Sequence, residues 1–360
     1  MVTLHDYAVV RMIAGVTSVG IIGASGFTGA ELLRLCSQHP EFDVRVATGD
    51  TQAGTRVADL YPSLAAGHPD LTFEKFDADR CDGLDVVFLG LPHGASQDVV
   101  PELAGRVGAI VDLAADFRLQ DPALYPRWYG EEHTHPELLD TFVYGLPELF
   151  RDDIVGAERV AAPGCYVTTA LLALAPLLRA GLIEPTGIVV DAASGVSGAG
   201  RPPKPTTTFC AADENLTAYG LLDHRHTPEI EQGLTTVAGA AAQVLFTPHL
   251  APINRGILAT CYARPARPGV STDDVLDAVR TAWADEPFVV VTDGSPSTKS
   301  TLGSNSVHVT AMADARTGWV VALAALDNLV KGASGQAVQC ANLMLDLPEG
   351  AGLPTVGVYP

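Results

Sequence analysis

Cys165 follows a Pro-Gly pair and precedes a long apolar segment in the stretch "AAPGCYVTTALLALAPLL". The small and β-branched residues before it predict a strand, and the apolar run after it predicts a helix over residues 166–179. A thiol at such a junction lies near backbone N–H groups that lack partners within the helix, and these groups stabilise an anion. The position therefore favours a nucleophilic cysteine.

The helix start alone is not enough to ionise this thiol at neutral pH. Lowering the pKa of a cysteine from ~8.5 to ~6.5 requires about 2.7 kcal/mol of stabilisation of the anion. An exposed helix end supplies roughly 0.3–1 kcal/mol. We therefore expect a cation, most simply a protonated histidine, beside the sulfur of Cys165. The other five cysteines are predicted to be small buried residues.

Two histidines in "DHRHTPEI" are the candidate acid and base. If residues 223–226 are extended, the alternation of side chains puts His224 and His226 on one face. Thr227 can then cap a helix that begins one residue later and carries Glu229 in its first turn. This arrangement suits general acid–base catalysis. The competing interpretation is metal binding by the two histidines, but a third ligand at recognisable spacing is missing, so no metal is predicted.

A glycine-rich turn lies near the start of the chain, in "VTSVGIIGASGFTGAELLRL". The pattern predicts a strand, a loop and a helix. Small residues at this turn let the backbone approach a pyrophosphate, which the helix N-terminus stabilises. The predicted cofactor ligands are Gly23, Ser25, Gly26, Phe27, Thr28 and Gly29.

The end of the second predicted strand leaves the choice between NAD and NADP open. Asp50 lies about 20 residues after the glycine loop, where an acid binds the ribose hydroxyls of NAD. Arg45 and Arg56 are nearby and could instead bind the 2′-phosphate of NADP.

The elements that must position these residues predict two domains, as the length of 360 residues also suggests. In the first part, strands alternate with helical segments, which predicts a doubly wound parallel sheet. Strand patterns follow the first one at residues 44–49, 85–92 and 108–114. Residues 121–150 look irregular. After Cys165 the pattern becomes an antiparallel-rich α+β one, with clear helices at residues 272–283 and 333–346.

Composition and charge exclude several classes of protein. Hydrophobic residues make up 47% of the chain and charged residues 18%, which is typical of globular proteins. The net charge of −20 disfavours binding to nucleic acid or to an anionic membrane. No apolar run reaches membrane-spanning length, and the N-terminus lacks a secretory signal pattern. The six scattered cysteines predict neither disulfides nor zinc, so we expect a cytoplasmic protein.

Several of these segments together resemble a known family. They are "GASGFTGAELLRL", "FLGLPHG", "DLAADFRL", "YGLPEL", "APGCYVTTALLALAPL", "SGVSGAGR", "HRHTPEI", "RGILAT" and "LDNLVKGASGQAVQ". In this order they resemble the N-acetyl-γ-glutamyl-phosphate reductase family, within the aspartate-semialdehyde dehydrogenase superfamily. The resemblance covers the chain from about Val16 to its C-terminus.

The resemblance implies a fold and a domain organisation. A Rossmann-type domain for the dinucleotide would comprise residues 16–164 and 328–360, because a C-terminal helix returns to it. An α+β catalytic and oligomerisation domain would comprise residues 165–327, and the protein would be a homodimer or homotetramer. Residues 1–15 match no segment and are a possible unstructured extension.

The resemblance also implies roles for individual residues. Cys165 would be the nucleophile and His226 the acid/base, supported by His224 and Glu229. The implied substrate ligands are Arg118, Arg201 and Ser197, and Asn328 would approach the nicotinamide.

The implied reaction is the NADPH-dependent reductive dephosphorylation of N-acetyl-γ-glutamyl phosphate, an anionic acyl phosphate, through a thioester on Cys165. NADP is the implied cofactor, although the segment "TGDTQAG" lacks the Arg or Lys often found in relatives that use NADPH, so NAD stays open. Alternative substrates for the same chemistry are aspartyl phosphate and carrier-bound aminoadipyl phosphate. A protein of another class, a dinucleotide-binding redox sensor without catalysis, is the remaining alternative.

Overall fold

Two β-sheets organise residues 16–360, the part of the chain that the computed structural model describes. The possible N-terminal extension lies outside the described residues. The strands are β1 (Thr17–Ile22), β2 (Phe42–Ala47), β3 (Val86–Leu89), β4 (Ala109–Asp112), β5 (Val143–Tyr144), β6 (Arg159–Ala161), β7 (Ile188–Gly195), β8 (Thr217–Ala218), β9 (Val244–Ala251), β10 (Ile257–Ala263), β11 (Val289–Val291), β12 (Val307–Asp314) and β13 (Trp319–Leu326).

Eleven α-helices connect or cover these strands in the described residues. They are α1 (Phe27–Gln38), α2 (Val57–Leu60), α3 (Ala95–Leu103), α4 (Tyr125–Tyr129), α5 (Pro147–Ile154), α6 (Cys165–Arg179), α7 (Phe209–Ala212), α8 (His226–Ala238), α9 (Thr272–Ala282), α10 (Thr298–Thr301) and α11 (Gly335–Met344). A π-helical segment, Val330–Ser334, precedes α11. No helix in residues 16–360 is long and apolar enough to cross a membrane.

The first sheet is parallel throughout and has the strand order β2-β1-β3-β4-β6-β5. Its central strands β3 and β4 are buried along their whole length, as expected for a parallel sheet that is covered on both faces. The strand order reverses between β1 and β3, and ligands of such sheets bind beside the carboxyl ends of the strands at this point. The loops after β1, β3, β4 and β6 all leave this edge, and the last of them leads directly to Cys165.

The second sheet is mixed and has the order β11-β12-β13-β10-β7-β9-β8. Its β7/β9 and β11/β12 pairs are parallel and its other pairs are antiparallel. Helices α6, α8 and α9 contribute apolar residues to one core with this sheet. Helix α6 is buried from Tyr166 to Leu178, which explains why its sequence is apolar on every face. The predicted parallel Rossmann-type sheet and α+β sheet are both confirmed.

The C-terminal segment packs against the first sheet. Ala337, Val338 and Ala341 of α11 belong to the same apolar core as residues of β1, β3 and β4. The Ser334 hydroxyl donates a hydrogen bond to the Thr28 carbonyl (2.9 Å) in the first turn of α1. The chain thus passes from the second sheet back to the first after β13.

Two local predictions were wrong. Residues 121–150 are not simply irregular, because they contain α4, β5 and the beginning of α5. Residues 223–226 are not extended and Thr227 is not a cap. Helix α8 already begins at His226, because the His226 N–H bonds to Nδ1 of His224 (3.1 Å) and the Thr227 N–H bonds to the His224 carbonyl (2.9 Å), which together form a turn.

Candidate active site

Cys165 is the first residue of α6, as the sequence predicted for the junction. Among the described residues, no side chain caps this helix, so backbone N–H groups at its start face the sulfur. Gly332 of the π-helical segment packs so closely that a Cβ there would lie 2.9 Å from the Cβ of Cys165. The nucleophile candidate is therefore held between the end of the first sheet and the C-terminal segment.

A cavity of about 740 Å³ opens beside Cys165. Its wall combines loops from the carboxyl edge of the first sheet with the segment that connects β7 to α8. The polar and charged residues in the wall are His93, Arg118, Tyr129, Cys165, Tyr166, Ser194, Lys204, Thr206, Thr207, Asn215, Thr217, Tyr219, His224, Arg225 and His226. The cavity thus brings together Cys165, both histidines and Arg118 from the residues that the sequence singled out.

His226 explains why a glycine precedes the cysteine. A Cβ on Gly164 would overlap Nε2 of His226, so only glycine lets the imidazole approach this turn. The rings of His224 and His226 lie 4.8 Å apart, and the His224 ring contacts Tyr166, Tyr219 and Phe246 edge-on. His224 therefore fixes the start of α8 and contributes to an aromatic wall.

Glu229 lies one turn after His226 and is fully buried. Its Oε1 accepts hydrogen bonds from the Gly164 N–H (2.9 Å) and from the Tyr144 hydroxyl (2.7 Å). Its Oε2 lies 3.5 Å from Nη1 of Arg118. Glu229 thus holds the turn before Cys165 and is not paired with the imidazole of His226.

Arg118 lies in the loop after β4, and its guanidinium also contacts the turn before Cys165. Its Nε donates to the Ala162 carbonyl (2.7 Å) and its Nη2 to the Leu113 carbonyl (2.7 Å). With Glu229 as a third contact, the guanidinium is fixed and nearly buried. It provides a permanent cation in the wall that contains Cys165.

Burial determines the protonation states of the nucleophile and its neighbours. It raises the pKa of the Cys165 thiol to about 11, while the charge of Arg118 and nearby backbone N–H groups act in the opposite direction. Burial lowers the pKa of His224 to about 4 and holds the pKa of His226 well below its usual value. Both shifts disfavour the expected thiolate–imidazolium pair in the free protein, and the charge of Arg118 acts on the sulfur.

Three predicted residues lie beside the cavity wall rather than in it. The Ser197 hydroxyl accepts a hydrogen bond from Nδ2 of Asn328 (3.0 Å), and Oδ1 of Asn328 accepts from the Gly256 N–H (2.7 Å). Arg201 donates from Nε to the Ser25 carbonyl (2.7 Å) in the glycine loop. The structure therefore brings Arg201 to the predicted dinucleotide site and not to the Cys165 cavity.

The glycine loop fits a dinucleotide. Gly23 has φ +85°, and a Cβ there would lie 2.5 Å from the Gly90 carbonyl oxygen. Gly26 precedes α1, whose first turn no side chain caps among the described residues, and Phe27 and Thr28 begin that helix. Gly29 packs against Ala24, so the helix lies close to the strand. This geometry leaves backbone N–H groups for a pyrophosphate at the switch point of the sheet.

The residues at the end of β2 carry their own charge partners. Asp50 is exposed and begins a short 3₁₀ turn, next to Gly49, which packs against Ser25 of the glycine loop. Arg45 forms an exposed ion pair with Asp43 (2.7 Å) and Arg56 forms one with Asp59 (2.7 Å). No group of three or more His, Cys, Asp or Glu side chains in residues 16–360 is arranged to hold a metal ion.

Comparison with known proteins identifies the family. A family model for the NAD-binding domain of semialdehyde dehydrogenases matches residues 18–157, and one for their dimerisation domain matches residues 165–328. N-acetyl-γ-glutamyl-phosphate reductase from Magnetococcus marinus is 46% identical over 346 residues, which cover 95% of this chain and 98% of the relative. The protein of the same name from Desulforudis audaxviator is 48% identical over 345 residues, which cover 95% and 99%. This chain belongs to the N-acetyl-γ-glutamyl-phosphate reductase family.

Solved structures show how widely the fold of this reductase family extends. Aspartate semialdehyde dehydrogenase II from Vibrio cholerae, complexed with ASA, has a TM-score of 0.70 at 17% identity and covers 92% of this chain and 98% of its own. Aspartate semialdehyde dehydrogenase with NADP from Candida albicans has a TM-score of 0.67 at 18% identity and covers 92% and 99%. At such identities the likeness establishes the fold.

Sequence reasoning missed several cavity residues. His93, Tyr129 and Ser194 belong to the wall, and Tyr144 binds Glu229 beneath it. His93 and Tyr144 lie within the family-like segments "FLGLPHG" and "YGLPEL", which was the available signal. Tyr129 comes from the region that looked irregular, and nothing in its sequence neighbourhood indicated a site.

Proposed function

We propose that this chain catalyses the NADPH-dependent reductive dephosphorylation of N-acetyl-γ-glutamyl phosphate to N-acetylglutamate 5-semialdehyde, a step of arginine biosynthesis. The single observation that carries the proposal is the cysteine at a helix start, in one cavity with a half-buried histidine and a fixed arginine. The names of relatives that are 46–48% identical over nearly the whole chain support the choice of substrate.

Cys165 and His226 would begin the reaction as a neutral pair. The imidazole of His226 accepts the thiol proton as the sulfur attacks the acyl carbon, so the S–C bond forms while the C–O bond to phosphate breaks. Arg118 attracts the anionic phosphoryl group and disfavours a protonated His226 before substrate arrives. Neutral partners keep the sulfur protonated, and therefore protected from oxidation, until substrate binds.

The thioester would then be reduced and released. Backbone N–H groups at the start of α6 stabilise the negative charge that develops on the carbonyl oxygen when hydride adds to the thioester carbon. NADPH, if held by the backbone of residues 23–29, would supply that hydride. When the C–S bond breaks, the aldehyde leaves and the protonated His226 returns the proton to the sulfur of Cys165.

For the cofactor, we propose that the backbone of residues Gly23 to Gly29 binds the pyrophosphate and that Asn328 lies toward the nicotinamide. The fit rests on the positive φ of Gly23 and the uncapped first turn of α1. NADP is the proposed cofactor rather than NAD. Since the arginines near Asp50 are in exposed ion pairs, which contribute little energy, either could exchange its partner for a 2′-phosphate.

We further propose a homo-oligomer that forms through the open face of the second sheet. Leu258, Tyr262 and Val321 alternate with buried residues and point away from the helices, so they form a half-exposed apolar surface. The match to a dimerisation domain over residues 165–328 supports this proposal. A cytoplasmic location stays a prediction from the sequence.

The decisive test is phosphate-dependent reduction of NADP⁺ by N-acetylglutamate 5-semialdehyde, measured at 340 nm with wild type and Cys165→Ala. We expect activity for the wild type alone. Activity with aspartate semialdehyde but not with the acetylated aldehyde would assign the aspartyl phosphate reaction. Binding of NADPH without turnover of either aldehyde would indicate the sensor alternative.

A further inference from the structure

Tyr129 presents an unsatisfied hydroxyl in the cavity wall. It is the last residue of α4, and Gly130 ends that helix with φ +83°. The oxygen is buried and has no hydrogen-bonding partner among residues 16–360. Burying a hydroxyl without a partner costs about 1–3 kcal/mol, so its position calls for an explanation.

The ring that carries this hydroxyl is fixed by its neighbours. Tyr129 stacks on Tyr125 with ring centroids 5.3 Å apart and packs on His93 at 4.2 Å. Nδ1 of His93 lies 2.5 Å from a carboxylate oxygen of Asp116, and its Nε2 lies 3.2 Å from a carboxylate oxygen of Glu131. The Asp116 carboxylate is itself fixed by hydrogen bonds from the Gly94 and Ser96 N–H groups. The phenol is therefore held in one orientation by groups that leave its hydroxyl unused, as in a preorganised binding site.

The hydrogen bonding of Tyr129 differs from that of Tyr125, on which it stacks. The hydroxyl of Tyr125 is also buried, but it donates to the Asp116 carbonyl at 2.6 Å. The chain thus satisfies one of two adjacent buried phenols internally and leaves the other for the cavity. Burial raises the pKa of Tyr129 above its ordinary value, so this phenol is a neutral donor at physiological pH.

The charges of the wall limit what this donor can meet. Among the described residues that line the cavity, Arg118, Lys204 and Arg225 are basic and none is Asp or Glu, although the chain has 42 acidic and 22 basic residues. Anionic groups of a substrate are attracted to these three cations. These three cations would repel a free ammonium group, so an uncharged nitrogen on the substrate suits this wall better.

We propose that the Tyr129 hydroxyl donates a hydrogen bond to the carbonyl oxygen of an acylated amine on the substrate, which makes Tyr129 a specificity-determining residue and His93 its positioning residue. This inference rests on the proposed function and deepens it, because it assigns recognition of the amide to one side chain. Apart from the reacting carbonyl, which must face Cys165, the amide is the only polar group of such a substrate that carries no charge, and Tyr129 is a neutral donor in a wall whose cations suit the anionic groups.

Two aldehydes that differ only in the amide test this assignment. N-acetylglutamate 5-semialdehyde and 5-oxopentanoate are compared in the phosphate-dependent reduction of NADP⁺. We expect Tyr129→Phe to lower the ratio of the two kcat/KM values about 10- to 100-fold, with the loss falling on the amide-bearing aldehyde. A structural defect would lower both values together.

Tyr219→Phe is the matched control, because Tyr219 also lines the cavity but its hydroxyl already bonds to the Tyr166 hydroxyl (3.2 Å). We expect it to change both kcat/KM values by the same factor. An unchanged ratio in Tyr129→Phe would overturn the assignment.

If the proposed function is wrong, the wild-type protein will reduce NADP⁺ with neither aldehyde. The amide assignment is then tested by calorimetric binding of N-acetylglutamate and glutarate. We expect a preference for N-acetylglutamate in the wild type that Tyr129→Phe abolishes. Equal affinities in the wild type would overturn the assignment in that case as well.

Discussion

The glycine loop at residues 23–29 and the cavity around Cys165 are constructed from different groups. The loop presents backbone N–H groups. At Gly23 and Gly29, the lack of a side chain lets neighbouring backbone segments pack closely. The cavity presents side chains from four separate parts of the chain: Arg118, Tyr129, Cys165 and the pair at 224–226. A backbone site depends on local conformation, whereas a side-chain site depends on long-range packing. Substitutions should therefore affect the two regions separately.

The largest effect on activity should come from substitution of the proposed nucleophile, Cys165. Cys165→Ser should lower kcat by at least ~10⁴-fold, because an alkoxide is far less accessible than a thiolate at neutral pH. The affinity for NADPH, measured by fluorescence titration, should change by less than about twofold. Retention of more than a hundredth of wild-type kcat would contradict the role of Cys165. A large loss of NADPH affinity would contradict the separation of the two regions.

A substitution at Gly26 tests whether the glycine loop can be changed without affecting the cavity. A Cβ at this position would have its nearest neighbour, the Gly23 carbonyl oxygen, at 3.5 Å, and φ is −78°, so alanine fits the free protein. Gly26→Ala should keep the thermal midpoint but weaken NADPH binding about 10- to 100-fold, because the methyl group occupies the path of the pyrophosphate. The rate at which iodoacetamide alkylates Cys165 should not change.

Gly29→Ala is the control for this loop. Its Cβ would overlap backbone atoms of Ala24, so we expect a lower thermal midpoint even without cofactor. If Gly26→Ala bound NADPH as tightly as the wild type, the cofactor would not approach the loop at that position.

The same contrast explains what the sequence could predict. The glycine spacing and the Pro-Gly-Cys junction are local patterns, and they predicted the loop and the helix start at Cys165. The alternation of strands and helical segments predicted the parallel sheet. The geometry at His224 did not follow, because a ring-to-backbone hydrogen bond begins α8 earlier than Thr227 would. The contacts of Glu229 could not be predicted, since they join residues that are 65 and 85 positions apart in the chain.

A smaller effect should identify the cation that acts on the thiol. With a pKa of about 11, the rate of Cys165 alkylation by iodoacetamide in the free protein should rise with pH throughout the range from 6 to 9, without a plateau. Arg118→Met should lower the rate about tenfold at each pH, which corresponds to one unit of pKa. Arg118→Lys keeps the charge and should lower the rate less.

A different pH dependence of Cys165 alkylation would contradict this prediction. A plateau of the alkylation rate near pH 6–7 that His226→Ala removes would show a thiolate–imidazolium pair in the resting site. It would also mean that burial affects the pKa of Cys165 less than the cavity geometry suggests.

The smallest effect on activity concerns Asp112, at the end of β4 between the two regions. Burial and the neighbouring Asp116 raise its pKa to about 7, while hydrogen bonds from Ser96 and Ala114 act in the opposite direction. An acid whose pKa is higher in the folded state binds more protons there, so it makes stability fall as pH rises from about 4 to 7 and then level off. The fall attributable to Asp112 is on the order of 1–4 kcal/mol.

Asp112→Asn keeps the acceptor for Ser96 and Ala114 but cannot ionise. The variant should therefore resist urea better than the wild type at pH 8 and differ little from it at pH 4.5, with kcat within about twofold because Asp112 is not in the cavity wall. Urea midpoints at the two pH values measure this. A variant destabilised by the same amount at both pH values would indicate that the carboxylate is needed for packing, and a large loss of kcat would mean that the boundary between the two regions lies elsewhere.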